Sequence, residues 1–279
     1  RIADDILQHL PTIPAINVAD LAKDTYTSHS SVIRLAKKMG YEGFRDFRVA
    51  ISEVAHSDLY RADPVDANFP FTAQDSTKEI AKKLADLTIN TVQRTYAQLD
   101  ERALDDAANL LANADRIFLF AQGDSQIRAR SFQNKLIKIN KFLILADEYA
   151  DEEWHAASLT SKDCAIFITY RANVPQYERM MKHFLNENIP SLLLTGNSRS
   201  HLIPLATRAL VFTQEEMDFI KVSTFSSQVA FEYLLDTLFS LLYAKNFKQN
   251  LTEFKKKNAW IETGTLSELS KSKEKDEFT

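Results

Sequence analysis

Apolar positions along this chain repeat with two different periods, and the change from one to the other divides it. In residues 2–10 the residues Ile2, Ile6, Leu7 and Leu10 share one helical face. Shorter helical patterns cover 17–24 and 28–39. A fourth runs from Gly43 to about His56 and turns Phe44, Phe47, Ile51 and Val54 inward. These four elements predict an all-α domain over residues 1–57. Residues 58–75, with Pro64, Pro70 and several Asp, have the composition of a linker. Two amphipathic helices follow, over about 75–97 and 100–113.

From Arg116 the pattern changes to apolar runs of strand length at 117–121, 142–146, 165–170, 191–195 and 209–213. Helical segments separate them at about 125–139, 151–158, 175–188 and 200–206, and a long one spans 223–245. Continuous apolar strands alternating with helices imply an α/β domain, here residues 76–247, built on a five-stranded parallel sheet covered on both faces. Ligands of such sheets bind at the carboxyl ends of the strands. Residues 248–279 are charged and poor in apolar residues, and they are expected to form a tail with a disordered end, docked in part by Phe254 and Trp260. No internal repeat is visible.

Composition narrows the possibilities. Apolar residues make up 45% of the 279-residue chain, enough for sizeable cores, and a formal net charge of −4 argues against nonspecific nucleic-acid binding by the whole molecule. No run approaches the ~18 apolar residues of a membrane span. A single cysteine, Cys164, excludes a disulfide framework and fits a cytoplasmic protein, in which it is a small core residue. The six histidines show no metal spacing, and neither a P-loop nor a dinucleotide fingerprint is present, so no metal or cofactor is implied.

The two short helical patterns have the layout of a helix-turn-helix, whose second helix enters the major groove of DNA. Val18, Leu21 and Ala22 supply the core of the first helix, and Val32, Leu35 and Met39 that of the second. Ser28 is placed to cap the second helix. The outward positions Ser28, His29, Ser30, Ser31, Arg34, Lys37 and Lys38, with Tyr41 beyond the helix, form the candidate DNA-reading surface. Hydroxyls near a helix start and forked or point cations suit phosphates and base edges. Residues 23–48 carry six basic groups against three acidic ones. The turn position usually held by glycine is Tyr26, which predicts a remodelled turn.

Leu21-Ala22, Ser28, Val32-Ile33-Arg34, Lys37 to Tyr41, Gly43-Phe44 and Phe47 together resemble the N-terminal domain of RpiR-type bacterial transcription regulators. That family carries a SIS (sugar isomerase) domain, flavodoxin-like in fold, after its helix-turn-helix, where it senses phosphosugars. Ser125, Ala129, Lys135 and Leu136 fall at SIS spacings. The resemblance implies a ligand site made from Gly123 and Ser125 after the first strand, Thr169, Arg171 and Asn173 after the third, and Ser223, Thr224, Ser226 and Ser227 at the start of the last long helix. Two departures stand out. The first loop of the family, Gly-x-Gly-x-Ser, has Ala121 for its first glycine. The loop Ser-x-Ser-Gly-x-Thr is here Thr169-Tyr170-Arg171-Ala172-Asn173-Val174.

Two readings of the sheet domain follow. Arg171 replaces the lost backbone contacts and the domain binds a phosphosugar effector, or the domain has lost that ligand and serves only to oligomerise. The serine–threonine cluster reads equally well as simple helix capping, and Thr195-Gly196-Asn197-Ser198 reads as a turn. Phosphosugar isomerisation, the enzymatic alternative, needs a positioned base. Glu152, Glu153, His155, Glu215, Glu216 and Asp218 are acid–base candidates without distinctive spacing. The sequence therefore predicts a non-enzymatic, cytoplasmic, homodimeric or homotetrameric regulator that binds double-stranded operator DNA.

Overall fold

The computed structural model describes residues 1–9, 13, 16–59, 62–146, 151–217, 219–264 and 266–267. It divides into two units, one made of Arg1–Val65 with Asp75–Asn90, the other of Asp66–Gln74 with the chain from Thr91 onward.

The first unit contains α1 (Ile2–Gln8), α2 (Val18–Asp24), α3 (His29–Lys38), α4 (Phe44–Leu59) and the first part of α5 (Thr77–Ala97). Local chemistry sets the helix starts. The Asn17 side chain accepts from the Ala19 and Asp20 amides at 2.9 Å, and the Ser28 hydroxyl accepts from the Ser31 amide at 3.2 Å. Ser76 and Glu79 form a capping box at α5, in which Glu79 accepts from the Ser76 amide at 2.7 Å. Gly40 follows α3 with φ of 93°, and the Tyr41 amide returns to the Ala36 carbonyl at 3.1 Å, closing the helix with a left-handed glycine.

Ile6, Ile13, Leu21, Ala22, Val32, Ala36, Phe44, Phe47 and Ile51 make the core of this unit. Three expectations need correction. Ala36, not Met39, completes the inner face of α3; Met39 sits at the C-cap, one turn past the core, and is 60% exposed. Leu7 is adjacent to Ile6 and therefore points away from the core face, at 68% exposure. The turn between α2 and α3 is not remodelled: Tyr26 itself takes φ of 52°, with its ring in solvent and the Thr27 amide bonded to the Ala22 carbonyl at 2.8 Å. Leu10 and the side chain of Val54 lie outside the described residues.

The predicted linker is shorter than 58–75. Asp58 and Leu59 still belong to α4, and residues 66–74 group with the second unit. Asn68, only 4% exposed, is the anchor. Its amide nitrogen donates to the Glu215 carbonyl at 3.0 Å, its side-chain oxygen accepts from the Met217 amide at 2.5 Å, and its carbonyl accepts from the Val222 amide at 2.8 Å.

The second unit is a five-stranded parallel sheet in the order β2-β1-β3-β4-β5, formed by β1 (Ile117–Ala121), β2 (Leu143–Ala146), β3 (Cys164–Ile168), β4 (Ser191–Thr195) and β5 (Arg208–Val211). The strands β1, β3 and β4 are buried along their whole length, which is why they read as unbroken apolar runs. One face packs on α6 (Glu101–Asn113), α7 (Asp124–Leu136) and α10 (Phe225–Lys245). The other packs on α8 (Glu152–Ala157) and α9 (Pro175–Asn186), with Phe120 stacked on Phe167 at 4.9 Å. Between β4 and β5 the predicted helix shrinks to a single 3₁₀ turn, Ile203–Leu205.

The tail expectation is corrected over its first half. Residues Phe247–Glu262 form a helix, α11. It is held by Lys257, whose ammonium donates to the Ile137 carbonyl and to the Asn140 side chain at 3.2 and 2.6 Å, while Phe254 and Trp260 stay about half exposed. Residues 268–279, expected to be disordered, lie outside the described residues. No helix of the described residues is long and apolar enough to cross a membrane.

Candidate functional site

The first unit presents one exposed helix face. Because Val32 and Ala36 point inward, α3 turns His29, Ser30, Arg34, Lys37 and Lys38 to solvent. Ser31 is half-buried and bonds to the Ser28 hydroxyl at 2.9 Å, and Arg34 donates to Ser31 at 3.3 Å, which steadies the guanidinium above the helix start. Arg1 and Thr27 join Ser31, Arg34 and Lys38 around one shallow hollow, so Arg1 adds a cation that the spacing argument missed. Tyr41 departs from expectation: it is half-buried and packs its ring on Phe47 at 5.3 Å, which makes it part of the core boundary.

In the second unit a cleft of about 290 Å³ opens at the carboxyl edge of the sheet. Of the residues expected there, Ser125, Thr169, Arg171, Asn173, Thr224 and Ser227 line it. Gly123 contributes only a backbone turn, with φ of 57° and ψ of −135°, a combination reserved for glycine. Ser226 is buried and accepts from Thr91 at 3.1 Å, so it is packing, and Ser223 faces a neighbouring hollow.

The loop after β3 is braced from below. The Thr169 hydroxyl accepts from the Ala172 amide at 3.2 Å, and Ala172 takes φ of 57°. The Asn197 side chain donates to the Arg171 carbonyl at 3.0 Å and the Thr195 hydroxyl to the Tyr170 carbonyl at 3.2 Å. The turn after β4 therefore positions the loop after β3. Gly196 is required there, since a Cβ would stand 2.1 Å from the Tyr170 ring, whose hydroxyl donates to the Gln214 carbonyl at 3.2 Å. The Arg171 guanidinium lies over the Phe219 ring at 4.5 Å.

Three helix N-termini reach the cleft, those of α7, α9 and α10, and the first and last of them have a carboxylate beside them. Glu216 accepts from the Ser227 amide and hydroxyl at 2.8 and 2.9 Å, and Lys221 pairs with it at 2.5 Å. Thr224, the N-cap of α10, makes no capping bond and instead donates to Asp124 in the first turn of α7. Helix capping thus does not explain the serine–threonine cluster; Glu216 supplies the cap. Behind the cleft, Lys135 of α7 bridges Glu232, at 3.0 Å, and Asp236 of α10. Burial opposes charge on both Lys135 and Glu232, but hydrogen bonds prevail, to Asp236 and Glu232 for Lys135 and from Ser131 and Lys135 for Glu232, holding Lys135 above and Glu232 below their ordinary values.

Gln122, Asp124, Tyr177, Lys221 and Gln228 also line the cleft and were not foreseen. Lys221 had a signal, being the only basic residue between the last strand and the last long helix. Among the acid–base candidates, Glu216 reaches the cleft, whereas Glu153 pairs with Arg179 and Glu215 with Arg94. His155 bonds the Asp151 carbonyl, and Asp218 lies outside the described residues.

Comparison with known proteins agrees with this division. Residues 1–57 match the helix-turn-helix domain of the rpiR family, and residues 110–241 match the SIS domain. An HTH-type transcriptional regulator from the aarA 3′ region of Providencia stuartii is 28% identical over 239 residues, 86% of this chain and 83% of that protein. The HTH-type regulator GlvR of Bacillus subtilis is 24% identical over 75% of each chain. The Vibrio vulnificus NanR protein complexed with ManNAc-6P shares the fold with a TM-score of 0.60 at 23% identity, over 93% of this chain and 90% of that one. The sugar isomerase domain of an RpiR transcription factor from Sphaerobacter thermophilus covers 63% of this chain and 96% of its own length, with a TM-score of 0.55 at 16% identity.

A helix-turn-helix unit joined to a SIS-type sheet unit defines a transcriptional regulator. With the rpiR-family helix-turn-helix over residues 1–57 and a SIS domain over residues 110–241, the chain has the make-up of an RpiR-type transcriptional regulator.

Proposed function

We propose that this regulator binds a roughly palindromic operator as a homodimer or homotetramer in the cytoplasm, and that a sugar phosphate in the cleft changes its operator affinity. The exposed, basic α3 face is the reading surface, with Ser28, His29, Ser30, Ser31, Arg34, Lys37 and Lys38 as the contacting set and Arg1 beside them. The observation that carries the effector reading is the cleft itself, which gathers Ser125, Thr169, Arg171, Asn173, Thr224 and Ser227 where parallel sheets bind ligands. Arg171, held by its carbonyl to Asn197, is the anion-binding group in place of the missing glycine and serine. The NanR neighbour, solved with ManNAc-6P, supports a sugar phosphate as the ligand class.

A second reading has its own observation. Two of the helix N-termini at the cleft have a carboxylate beside them, Asp124 in the first turn of α7 and Glu216 on the Ser227 amide of α10, which disfavours a further anion at those two ends. On that reading the sheet unit only oligomerises. A thermal-shift panel of hexose and amino-sugar phosphates separates the two. Stabilisation of the wild type that disappears in Arg171→Ala is the expected result, and no response to any panel member favours the second reading. Genomic fragments selected by the purified protein supply the operator for gel shifts with and without the stabilising sugar.

A further inference from the structure

Tyr177 stands in the first turn of α9 and lines the cleft. Its ring meets Phe167 edge-on at 5.1 Å, and the residue is wholly buried. Its hydroxyl, shielded from solvent, has no hydrogen-bond partner among the described residues. Phenylalanine would fill the same space without the desolvation penalty of an unpaired hydroxyl. A buried polar group left unsatisfied by its own chain calls for a partner from outside it.

The surroundings restrict that partner. Glu152 interacts electrostatically with the Tyr177 hydroxyl, and Gln122, another cleft residue, is hydrogen-bonded to Glu152. Burial, reinforced by Glu152, pushes the Tyr177 hydroxyl well above the usual phenol range, so it remains a donor. A phosphate oxygen beside a carboxylate is repelled, whereas an alcohol oxygen accepts from the phenol without penalty. Gln228, whose side-chain oxygen is also buried and unpartnered, lines the same cleft and offers an acceptor to a second hydroxyl.

We propose that Tyr177 is a specificity-determining residue that donates its hydroxyl to an alcohol oxygen on the sugar of the effector. The cleft then offers the Arg171 cation to the charged group, and the uncharged Tyr177 and Gln228 side chains to the sugar hydroxyls. This inference rests on the effector reading given above.

The test uses the full chain and its Tyr177→Phe variant. Calorimetric titrations employ N-acetylmannosamine 6-phosphate, glucosamine 6-phosphate, glucose 6-phosphate and fructose 6-phosphate, and the ligand-free melting temperatures are recorded. The variant is expected to melt at or above the wild-type temperature and to bind the preferred sugar phosphate about tenfold more weakly. Equal affinity in the variant overturns the role of Tyr177 while leaving the effector reading in place. A ligand-free melting temperature several degrees lower overturns it as well, because the hydroxyl is then structural. Failure of the wild type to bind any of the four removes the effector reading and this inference together.

Discussion

Four non-glycine residues among those described hold a left-handed backbone, and two of them, Tyr26 and Ala172, stand beside the DNA-reading helix and the cleft. Tyr26 turns the chain between α2 and α3, and Ala172 turns it into α9. A left-handed conformation costs an L-residue roughly 1–2 kcal/mol, while glycine carries an entropic penalty of its own of about 0.5–1 kcal/mol. At Ala172 the surrounding bonds keep the backbone path despite the missing glycine: Thr169 holds the amide, and Asn197 holds the preceding carbonyl. Ala172→Gly is therefore expected to stabilise the protein by about 0.5–1 kcal/mol, read as a higher urea midpoint with an unchanged slope. An unchanged or lower midpoint would show that the loop carries no such strain. In the sequence the alanine at this place suggested a lost phosphate loop. Replacing one residue does not reveal whether its neighbours preserve the turn, because those neighbours lie some twenty-five positions further on, at Thr195 and Asn197.

At the scale of elements, a stabilising ion pair and the candidate cleft lie on opposite edges of the sheet. At the amino edge Arg116 forks onto Asp163 at 2.9 and 2.8 Å, and Asp163 is only 2% exposed. Burial raises the Asp163 carboxyl, but hydrogen bonds from Arg116 and Thr160 more than compensate and hold it below its ordinary value of 3.8. A carboxyl depressed in the folded state adds stability that is fully present above the unfolded value. That stability is lost as the pH falls through the folded one. Removing the partner in Arg116→Ala is expected to cost about 2 kcal/mol at pH 7, less than the ~3–5 of a fully buried pair because Arg116 is partly solvated. Asp163→Asn should flatten the decline in stability below pH 4. Urea titrations at pH 7 and pH 3 check both, and a loss of the same size at the two pH values would contradict the assignment.

The strands were legible because burial on both faces leaves no polar positions to interrupt an apolar run, and the helix-turn-helix because Leu21, Ala22 and Val32 must meet at fixed offsets. The rim from Gln214 to Val222 was not legible. It has no period, and Glu216 and Lys221 acquire meaning only from the helix end they face. The helix α11 escaped notice for a related reason: it buries none of its residues, so no apolar stripe marks it.

At the scale of the whole molecule, regulation requires that the effector bind two states with different affinity. Asn68 bears on this. It sits in the segment that follows the DNA-reading unit, and all three of its rim bonds go to residues 215–222, the stretch that also holds Glu216 and Lys221. Asn68→Ala is expected to leave both affinities nearly intact, for effector in calorimetry and for operator in gel shifts, while abolishing the change that each ligand causes in the other. If the effector still alters operator binding by the wild-type factor in that variant, Asn68 plays no part in the response. Linkage makes the effect reciprocal, so operator DNA must shift effector binding by the same factor in the wild type. A single buried amide would then govern neither binding event, but the free energy shared between them.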